Sequence, residues 1–497
     1  MHACIESNSI LETLIKETES LLPVKDRPIL NQFLRLILSD IQCSPTEEPH
    51  DWHAKTALSN LFKFFQKPPS SQTEEVKVKV ISVAKTEETQ VIIHLNDTPF
   101  ILGTLRNYLK KSGHTIYAQT HTTFATQRDA EGNIKKIISE EESGNRKKAA
   151  NFKQEMILFI LIEAMPDKDT LKKMRDDLVA TLTSVKQSVD DFPEVTRILE
   201  EEAEILGKAG RAMDGNFLHW TLDNNFVFMG MQTFTQKKKS LTQNRDNSAL
   251  GIFRGANPDA LLDRITPGLR KEINNILGNP DSSHMHEGVS MEYCQHGQSI
   301  IYDSEGVDFF TIRHHDQKTD TWNILLVLGR FSRTAHGSRA STVPILTERL
   351  SKTLELSGYP GGSYLRHEFR SLFDRMPLRE LFYSEPEVLT EQIRTILKMQ
   401  GDTDVCINTR LGHHENYISI LTTISRNRYK AHLEDRVADT LSKYLNYPIT
   451  SINVSESGTL FFIACYANYN PNNPLSFDPD QARAEIDKLV KIGRAHV

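Results

Sequence analysis

Residues 90–101 decide the fold of this chain, and they read QVIIHLNDTPFI. The short apolar run that opens the stretch predicts a buried strand. The letters NDTP that follow have the composition of a turn, in which Asp97 or Thr98 can cap a helix and Pro99 suits its first turn. The stretch therefore predicts a strand that leads through a tight turn into a helix.

The segments that follow extend this start into a βαββα order. Apolar residues between Ile101 and Leu109 recur on one helix face, and Gly113 is well placed to end that helix. Strands are predicted at 114–128 and 156–162, and a helix with a break near Pro193 at 167–206. This order lacks one strand of the ferredoxin-like βαββαβ unit, and Phe226–Met229 could supply it.

A second run of elements near the end of the chain repeats this order. Strands are predicted at 417–424, 449–454 and 460–466, and helices at 428–445 and 479–491. The final strand of the second unit is missing from the pattern. Between the two units, Val307–Arg313 and Trp322–Phe331 predict a hairpin, and Pro344–Leu356 predicts a helix.

The N-terminal segment is predicted to be helical, because Leu30, Phe33, Leu34 and Ile37 have the spacing of one helix face. We therefore expect an α+β chain in which a helical segment precedes ferredoxin-like modules with antiparallel sheets. The predicted divisions are a helical segment at 1–75, a first module at 76–206, an α+β connecting region at 207–300, a second and irregular module at 301–400, a third and truncated module at 401–490, and a tail at 491–497.

The composition predicts a cytoplasmic protein of about three domains. Its 497 residues include 59 Lys and Arg against 65 Asp and Glu, and the net charge of −6 argues against a nucleic-acid partner. No apolar run is long enough to span a membrane, and the first residues do not resemble a signal peptide. The five cysteines are far apart, as expected for reduced thiols and not for disulfides or a zinc site.

Familiar catalytic signatures are absent from the sequence. It contains no G-x-G-x-x-G after a strand, no phosphate-binding loop and no H-E-x-x-H. We predict no metal site, because adjacent histidines such as His314 and His315 would point to opposite faces of a strand. Basic patches at 237–245 and 330–339 are interpreted as solvated loops, although the second also suits an interface with a carboxylate-rich segment. An unrecognised active site within 207–400 is the minor alternative.

Four short motifs occur in an order that resembles one protein family. They are NDTPFI at 96–101, NFVFMG at 225–230 followed by LGIFR at 250–254, SGYPGGS at 357–363 followed by PLRELF at 377–382, and SRNRY at 425–429. Together they resemble the N-terminal part of the large NAD-specific glutamate dehydrogenases of bacteria. The chain departs from that family at Gly103-Thr104, where relatives usually carry Asp-Ser, and at Ser425, where they usually carry Pro.

The resemblance implies regulatory modules of the ACT type, whose fold is the βαββαβ plan. The predicted modules at 76–206, 301–400 and 401–490 would then be ACT-like. Family members convert L-glutamate to 2-oxoglutarate and ammonium with NAD, and their catalytic and NAD-binding parts lie beyond the region that the chain resembles. We therefore expect no catalytic, cofactor-binding or metal-binding residue in this chain, and no activity from it alone.

The resemblance also implies a small amino acid as effector and a homo-oligomer that forms through the ACT-like modules. The candidate effector-binding residues lie in the turn after the first strand, where backbone N–H groups can receive a carboxylate: Asn96, Asp97, Thr98, Pro99 and Phe100. A plain capped turn is the alternative interpretation of these residues. The alternative function is a freestanding ACT-type sensor or scaffold protein without catalytic activity. The final letters KIGRAHV, at 491–497, resemble a translated sequencing adapter, so we expect a fragment.

Overall fold

The computed structural model shows an α+β chain whose strands pair in antiparallel sheets, which confirms the predicted class. The structure describes residues 8–21, 23–40, 42–43, 54–68, 76–83, 88–139, 151–165, 167–238, 240–244, 249–254, 268–278, 286–298, 306–399, 405–411, 417–430, 432–469 and 477–492. Residues 493–497 of the predicted tail lie outside these ranges. The chain forms two compact units, which meet in sequence between Asp190 and Asp191.

The first unit combines a helical start with a mixed arrangement of helices and strands. Its helices are α1 Asn8–Glu19, α2 Arg27–Ser39, α3 Ala54–Gln66, α4 Ile101–Lys111 and α5 Lys168–Asp190. Its strands are β1 Gln42–Cys43, β2 Val76–Val83, β3 Glu88–Asn96, β4 Ile116–Arg128, β5 Ile134–Ser139 and β6 Lys153–Glu163. The strand, turn and helix predicted from residues 90–101 are all present.

The sheet of the first unit has the order β1-β4-β6-β3-β2, with β5 paired to β4. The four strands β4-β6-β3-β2 follow the ferredoxin-like arrangement, except that the edge beside β3 is filled by β2, a strand that precedes the βαββα order. Val76 of β2 pairs with Leu95 of β3. The expectation that Phe226–Met229 completes this sheet is therefore wrong, since those residues pair within the second unit.

Helices cover both faces of this first sheet. One face carries Ile92 and Phe159, which pack with α1, α2 and α3 in a single apolar cluster. The predicted helix face of Leu30, Phe33, Leu34 and Ile37 is confirmed, because all four side chains are buried in that cluster. The alternate strand residues point to the opposite face, on the side where α5 contacts β2 and α4. The N-terminal helices thus pack as part of the first module's core.

The second unit begins with helices and contains two further sheets. Its helices are α6 Phe192–Lys208, α7 Ala212–Trp220, α8 Leu269–Gly278, α9 Arg333–Gly337, α10 Pro344–Leu356, α11 Tyr364–Phe373, α12 Leu378–Tyr383, α13 Pro386–Leu397, α14 Leu433–Leu445 and α15 Pro479–Ile492. Its strands are β7 Phe226–Lys237, β8 Ser240–Gln243, β9 Leu250–Gly251, β10 Gly288–Gln298, β11 Gly306–Asp316, β12 Thr321–Phe331, β13 Val405–Leu411, β14 Tyr417–Ser425, β15 Ile449–Ser457 and β16 Leu460–Asn468. The helix break predicted near Pro193 is confirmed, since α5 ends at Asp190 and α6 begins at Phe192.

The last sheet repeats the arrangement of the first. Its order is β13-β14-β16-β15, so β13 occupies the edge that a strand after α15 was expected to fill. Val405 at the start of β13 pairs with Ile424 of β14. No strand follows α15 in the described residues, as the pattern indicated, but the fourth position is not empty. In both sheets it is filled by a strand that comes before the βαββα order.

The middle sheet has a different plan, with the order β10-β11-β12-β7-β8 and β9 paired to β7. The predicted hairpin is confirmed as β11 and β12, but the sheet draws its strands from both sides of residue 300. The motifs at 225–230 and 250–254 meet where β9 pairs with β7, and Gly251 lies opposite Gly230. Gly251 has a positive φ of 61°, and a Cβ atom there would lie 2.2 Å from the carbonyl oxygen of Met229. Only glycine fits so close a backbone approach.

Candidate effector turn and two buried polar networks

The candidate effector turn connects β3 to α4 on the surface of the first unit. Asn96 and Asp97 are exposed, whereas Thr98 is buried and its hydroxyl donates to the carbonyl oxygen of Asn96 at 2.9 Å. The amide of Asp97 donates to the carbonyl oxygen of Gln154 on β6 at 3.1 Å. These two bonds hold the turn against the sheet and leave its outer edge open to solvent.

The helix after the turn begins without a side-chain cap, which contradicts the predicted capping by Asp97 or Thr98. The N-cap residue is Phe100, whose φ of 70° lies in the left-handed region. Because Phe100 has this non-helical conformation, the helix starts at Ile101, later than the turn composition suggested. The first-turn N–H groups of α4 have no partner within the helix, and the N-cap residue provides no side-chain cap.

Thr104, one of the departures from the family pattern, is used inside the helix. Its side chain is fully buried, and its hydroxyl donates to the carbonyl oxygen of Phe100 at 2.8 Å. That bond fixes the strained N-cap residue and takes the hydroxyl away from the surface. The structure thus brings Asn96, Asp97, Thr98, Pro99 and Phe100 together in one turn, in which the side chains of Asn96 and Asp97 are exposed.

A buried charge network lies on the sheet face beneath α3, and the sequence interpretation missed it. Arg128 forms a two-point contact with Glu155, in which Nε and Nη2 donate to the two carboxylate oxygens at 2.8 Å each. Its guanidinium also donates to the carbonyl oxygens of Phe65, Gln66 and Gly132. His94 Nε2 lies 2.8 Å from Glu155. The network therefore joins the end of α3 to three strands of the sheet.

The pKa values of His94 and Glu155 are both lowered, so the histidine is neutral and the glutamate is charged. Burial of His94 lowers its pKa to about 4 despite the neighbouring carboxylate, so the imidazole is neutral and Nε2 donates its proton to Glu155. Burial alone would raise the pKa of Glu155, but hydrogen bonds from Arg128 and His94 outweigh it and lower that pKa to about 2. The network thus holds one carboxylate and one guanidinium, and its net charge is zero.

A second buried network lies in the second unit, centred on α12. Arg379 Nη2 donates to Asp308 of β11 at 2.9 Å, and the Tyr383 hydroxyl donates to the other oxygen of Asp308 at 2.9 Å. Burial and the Asp308 carboxylate raise the pKa of Tyr383 well above its ordinary value, so the phenol keeps its proton. This half of the network binds α12 to the middle sheet.

The other half of the network binds α12 to the last sheet. Glu380 is fully buried and accepts hydrogen bonds from Ser419 at 2.7 Å and from Tyr466 at 3.1 Å. Arg410 of β13 lies 3.5 Å from the same carboxylate and donates to the Tyr383 carbonyl oxygen at 3.1 Å. Because Asp308, Glu380 and the two arginines balance, the cluster is neutral in total charge.

Comparison with known proteins finds glutamate dehydrogenase matches for both regions. Residues 33–178 match the family described as glutamate dehydrogenase, ACT1 domain, and residues 343–402 match glutamate dehydrogenase, helical motif 1. The NAD-specific glutamate dehydrogenase of Halomonas elongata is 23% identical over 424 residues, which cover 82% of this chain and 25% of that protein. The enzyme of the same name from Pseudomonas aeruginosa is 19% identical over 411 residues, or 81% and 25% of the two chains. These matches support a relationship between this chain and the large NAD-specific glutamate dehydrogenases. It spans about a quarter of the length of the curated relatives that it matches.

Each buried network has residues within one of the two matched regions. The ACT1 match contains the candidate effector turn and the His94 network, together with most of the first sheet. The helical motif 1 match runs from the start of α10 past the end of α13 and contains the whole of α12. Arg379, Glu380 and Tyr383 therefore belong to helical motif 1, and their partners lie in the sheets before and after it.

The remaining candidate residues do not gather into a site. In the described ranges no three His, Cys, Asp or Glu residues form a group suited to a metal ion. His314 and His315 contact different partners, Glu202 and Asp320, as expected for adjacent strand residues. Arg330 was assigned to a solvated loop, but it is buried on β12, with only 4% of its surface exposed. None of the described helices is long and apolar enough to cross a membrane.

Proposed function

We propose that this chain is the regulatory and assembly part of an NAD-dependent glutamate dehydrogenase. The support is the ACT1 match, which contains the first sheet and the solvent-exposed turn between β3 and α4. The full-length enzyme would deaminate L-glutamate to 2-oxoglutarate with NAD bound elsewhere. Two buried free cysteines, Cys406 and Cys465, fit a cytoplasmic location.

The turn at Asn96–Phe100 is the proposed effector site for a small amino acid. Uncapped first-turn N–H groups and the positive end of the α4 dipole favour a carboxylate at this position. The exposed Asp97 carboxylate lies in the same turn and would accept a hydrogen bond from the ammonium group of the effector. The ligand class follows from these charges together with the family assignment.

Calorimetry on the full 497-residue chain with a panel of amino acids tests this proposal. We expect heat from at least one small amino acid, and an affinity about tenfold weaker when Asp97→Asn removes the charge that would bind its ammonium group. Glu131→Gln, an exposed change in the turn between β4 and β5, should leave that affinity unaltered. The absence of heat with every amino acid, from protein shown to be folded, would reject the site.

Activity and size measurements test the wider proposal. We expect no glutamate-dependent reduction of NAD by the chain alone, and a homo-oligomer in light scattering, because ACT-like modules would pair. Glutamate-dependent NAD reduction by the purified chain would contradict the regulatory assignment. A monomer that still binds an amino acid would instead support the freestanding sensor.

A further inference from the structure

A cleft of about 320 Å³ opens in the second unit, and none of the residues in the network around α12 lines it. One wall is α6, where Ile198 and Glu202 lie one turn apart on the same face. The facing wall is the end of the middle sheet, with Met231 on β7, Leu325 on β12 and His314 on β11. The cleft is large enough for a small organic ligand, since such sites usually measure about 300–1,000 Å³.

The two ends of the cleft differ in chemistry. Ile198, Met231 and Leu325 provide an apolar wall, and Leu325 and Met231 are themselves nearly buried. Glu202 carries the charge at the other end, with 18% of its side chain exposed. A ligand that satisfies both ends needs an apolar body and one charged group.

Glu202 sets the sign of that charged group. Its Oε2 lies 2.7 Å from His314 Nε2, whereas Oε1 makes no hydrogen bond with any other residue in the described ranges. Glu202 is the one carboxylate among the described residues that line the cleft. Its open carboxylate oxygen favours a cation over an anion.

We propose that this cleft binds a small amphipathic amine, with its ammonium group on Glu202 and its apolar body against Ile198, Met231 and Leu325. The ammonium donates to Oε1, the oxygen that His314 leaves open. This site is separate from the effector turn and does not depend on the proposed regulatory function.

His314 makes binding depend on pH. The hydrogen bond to Glu202 raises the pKa of His314, with burial opposing that change and the Glu202 and Glu287 charges adding to it. The charged groups that face His314 are thus Glu202 from α6 and Glu287 from the segment before β10. Below its pKa the imidazolium competes with the amine for Glu202. Above that pKa the neutral ring no longer offsets the carboxylate, so amine binding tightens as the pH rises.

Calorimetry on the full chain with isoamylamine and benzylamine tests the proposal, with isovalerate and isoamyl alcohol as matched ligands that lack the ammonium group. We expect both amines to bind, with affinity that rises between about pH 6 and about pH 8, while both amines remain protonated. Isovalerate should not bind. Equal or tighter binding of isovalerate, or no heat from either amine, would overturn the proposal.

Three variants locate the site, each checked for folding by circular dichroism. Glu202→Gln should weaken amine binding about tenfold, the value of one charge-assisted hydrogen bond. Glu201→Gln, an exposed change on the same helix, should leave it unaltered. His314→Gln should keep binding but remove its pH dependence between about pH 6 and about pH 8. Unchanged affinity in Glu202→Gln would place the amine elsewhere and reject this cleft.

Discussion

Arg128 shows how much of the first unit depends on a single side chain. Its guanidinium satisfies two oxygens of Glu155 and three backbone carbonyl groups, and its charged plane lies over the Phe65 ring. The bonds reach α3, the turn before β5 and the sheet, so three separate segments share one buried donor group. Buried arginine is tolerated because every acceptor around it is already in place.

Glu155→Gln should destabilise the first unit by about 3–5 kcal/mol, because it leaves the Arg128 charge buried without its carboxylate. Urea unfolding would measure the loss. Asp176→Asn is the matched control, since it breaks an exposed pair with Arg175 and should cost less than about 1 kcal/mol. Equal losses in the two variants would contradict the role given to Glu155.

His94 should make the stability of the first unit depend on pH. The pKa of His94 is about 4 in the folded chain, against an ordinary value of 6.5. Between about pH 6.5 and about pH 4 the unfolded chain therefore binds a proton at His94 that the folded chain does not bind. Stability is therefore lost as the pH falls from about 6.5 towards about 4, by up to about 3 kcal/mol at 1.36 kcal/mol per pKa unit.

The variant His94→Gln should flatten this dependence, as measured by urea unfolding at a series of pH values. Glu155 contributes in a lower window, because its lowered pKa of about 2 preserves its stabilising charge until the pH falls below about 4.5. A slope that persists unchanged between about pH 6.5 and about pH 4.5 in His94→Gln would assign the effect to another group.

At the scale of elements, the two ferredoxin-like sheets share one departure from the expected order. In each, a strand from before the βαββα order pairs with the first strand, so β2 and β13 take the same position. The first strand, its turn, its helix and the following hairpin strands could be predicted, because apolar runs and turn residues are local signals. The origin of the fourth strand could not, because strand pairing depends on partners that are distant in sequence.

Gly251→Ala should destabilise the second unit by more than about 3 kcal/mol. The added Cβ would lie 2.2 Å from the Met229 carbonyl oxygen, where β9 pairs with β7. Gly358→Ala is a matched control: its φ of 68° is similar, but its Cβ would meet nothing within 4 Å. That variant should cost only about 1–2 kcal/mol from backbone strain. Thermal unfolding of both variants would separate the clash from the strain.

At the scale of the whole molecule, buried charges connect elements that the sequence keeps far apart. Helix α12 places Arg379 and Glu380 next to each other, and one binds the middle sheet while the other binds the last sheet. Neither role could be read from the PLRELF motif, whose charged letters suggest an exposed helix. The partners Asp308 and Ser419 come from opposite sides of α12 in the chain, so only the folded structure shows the network.

The pair Asp308 and Arg379 should show strong coupling in a double-mutant cycle. Asp308→Asn and Arg379→Met should each cost about 3–5 kcal/mol, and the double variant should cost clearly less than their sum because no charge is then left alone. Hydrogen exchange should also show faster opening of both the middle and last sheets in either single variant. Additive losses would mean that the two groups do not act as a pair.

The position of β2 has a practical consequence for work on the first module alone. A fragment that starts at Glu88 would contain every element of the βαββα order, yet it would leave β3 as an open edge. Nine residues with a burial pattern of a central strand would then offer unpaired backbone groups to other chains. Such a fragment should tend to associate edge to edge, whereas one that begins ahead of Val76 keeps that edge closed.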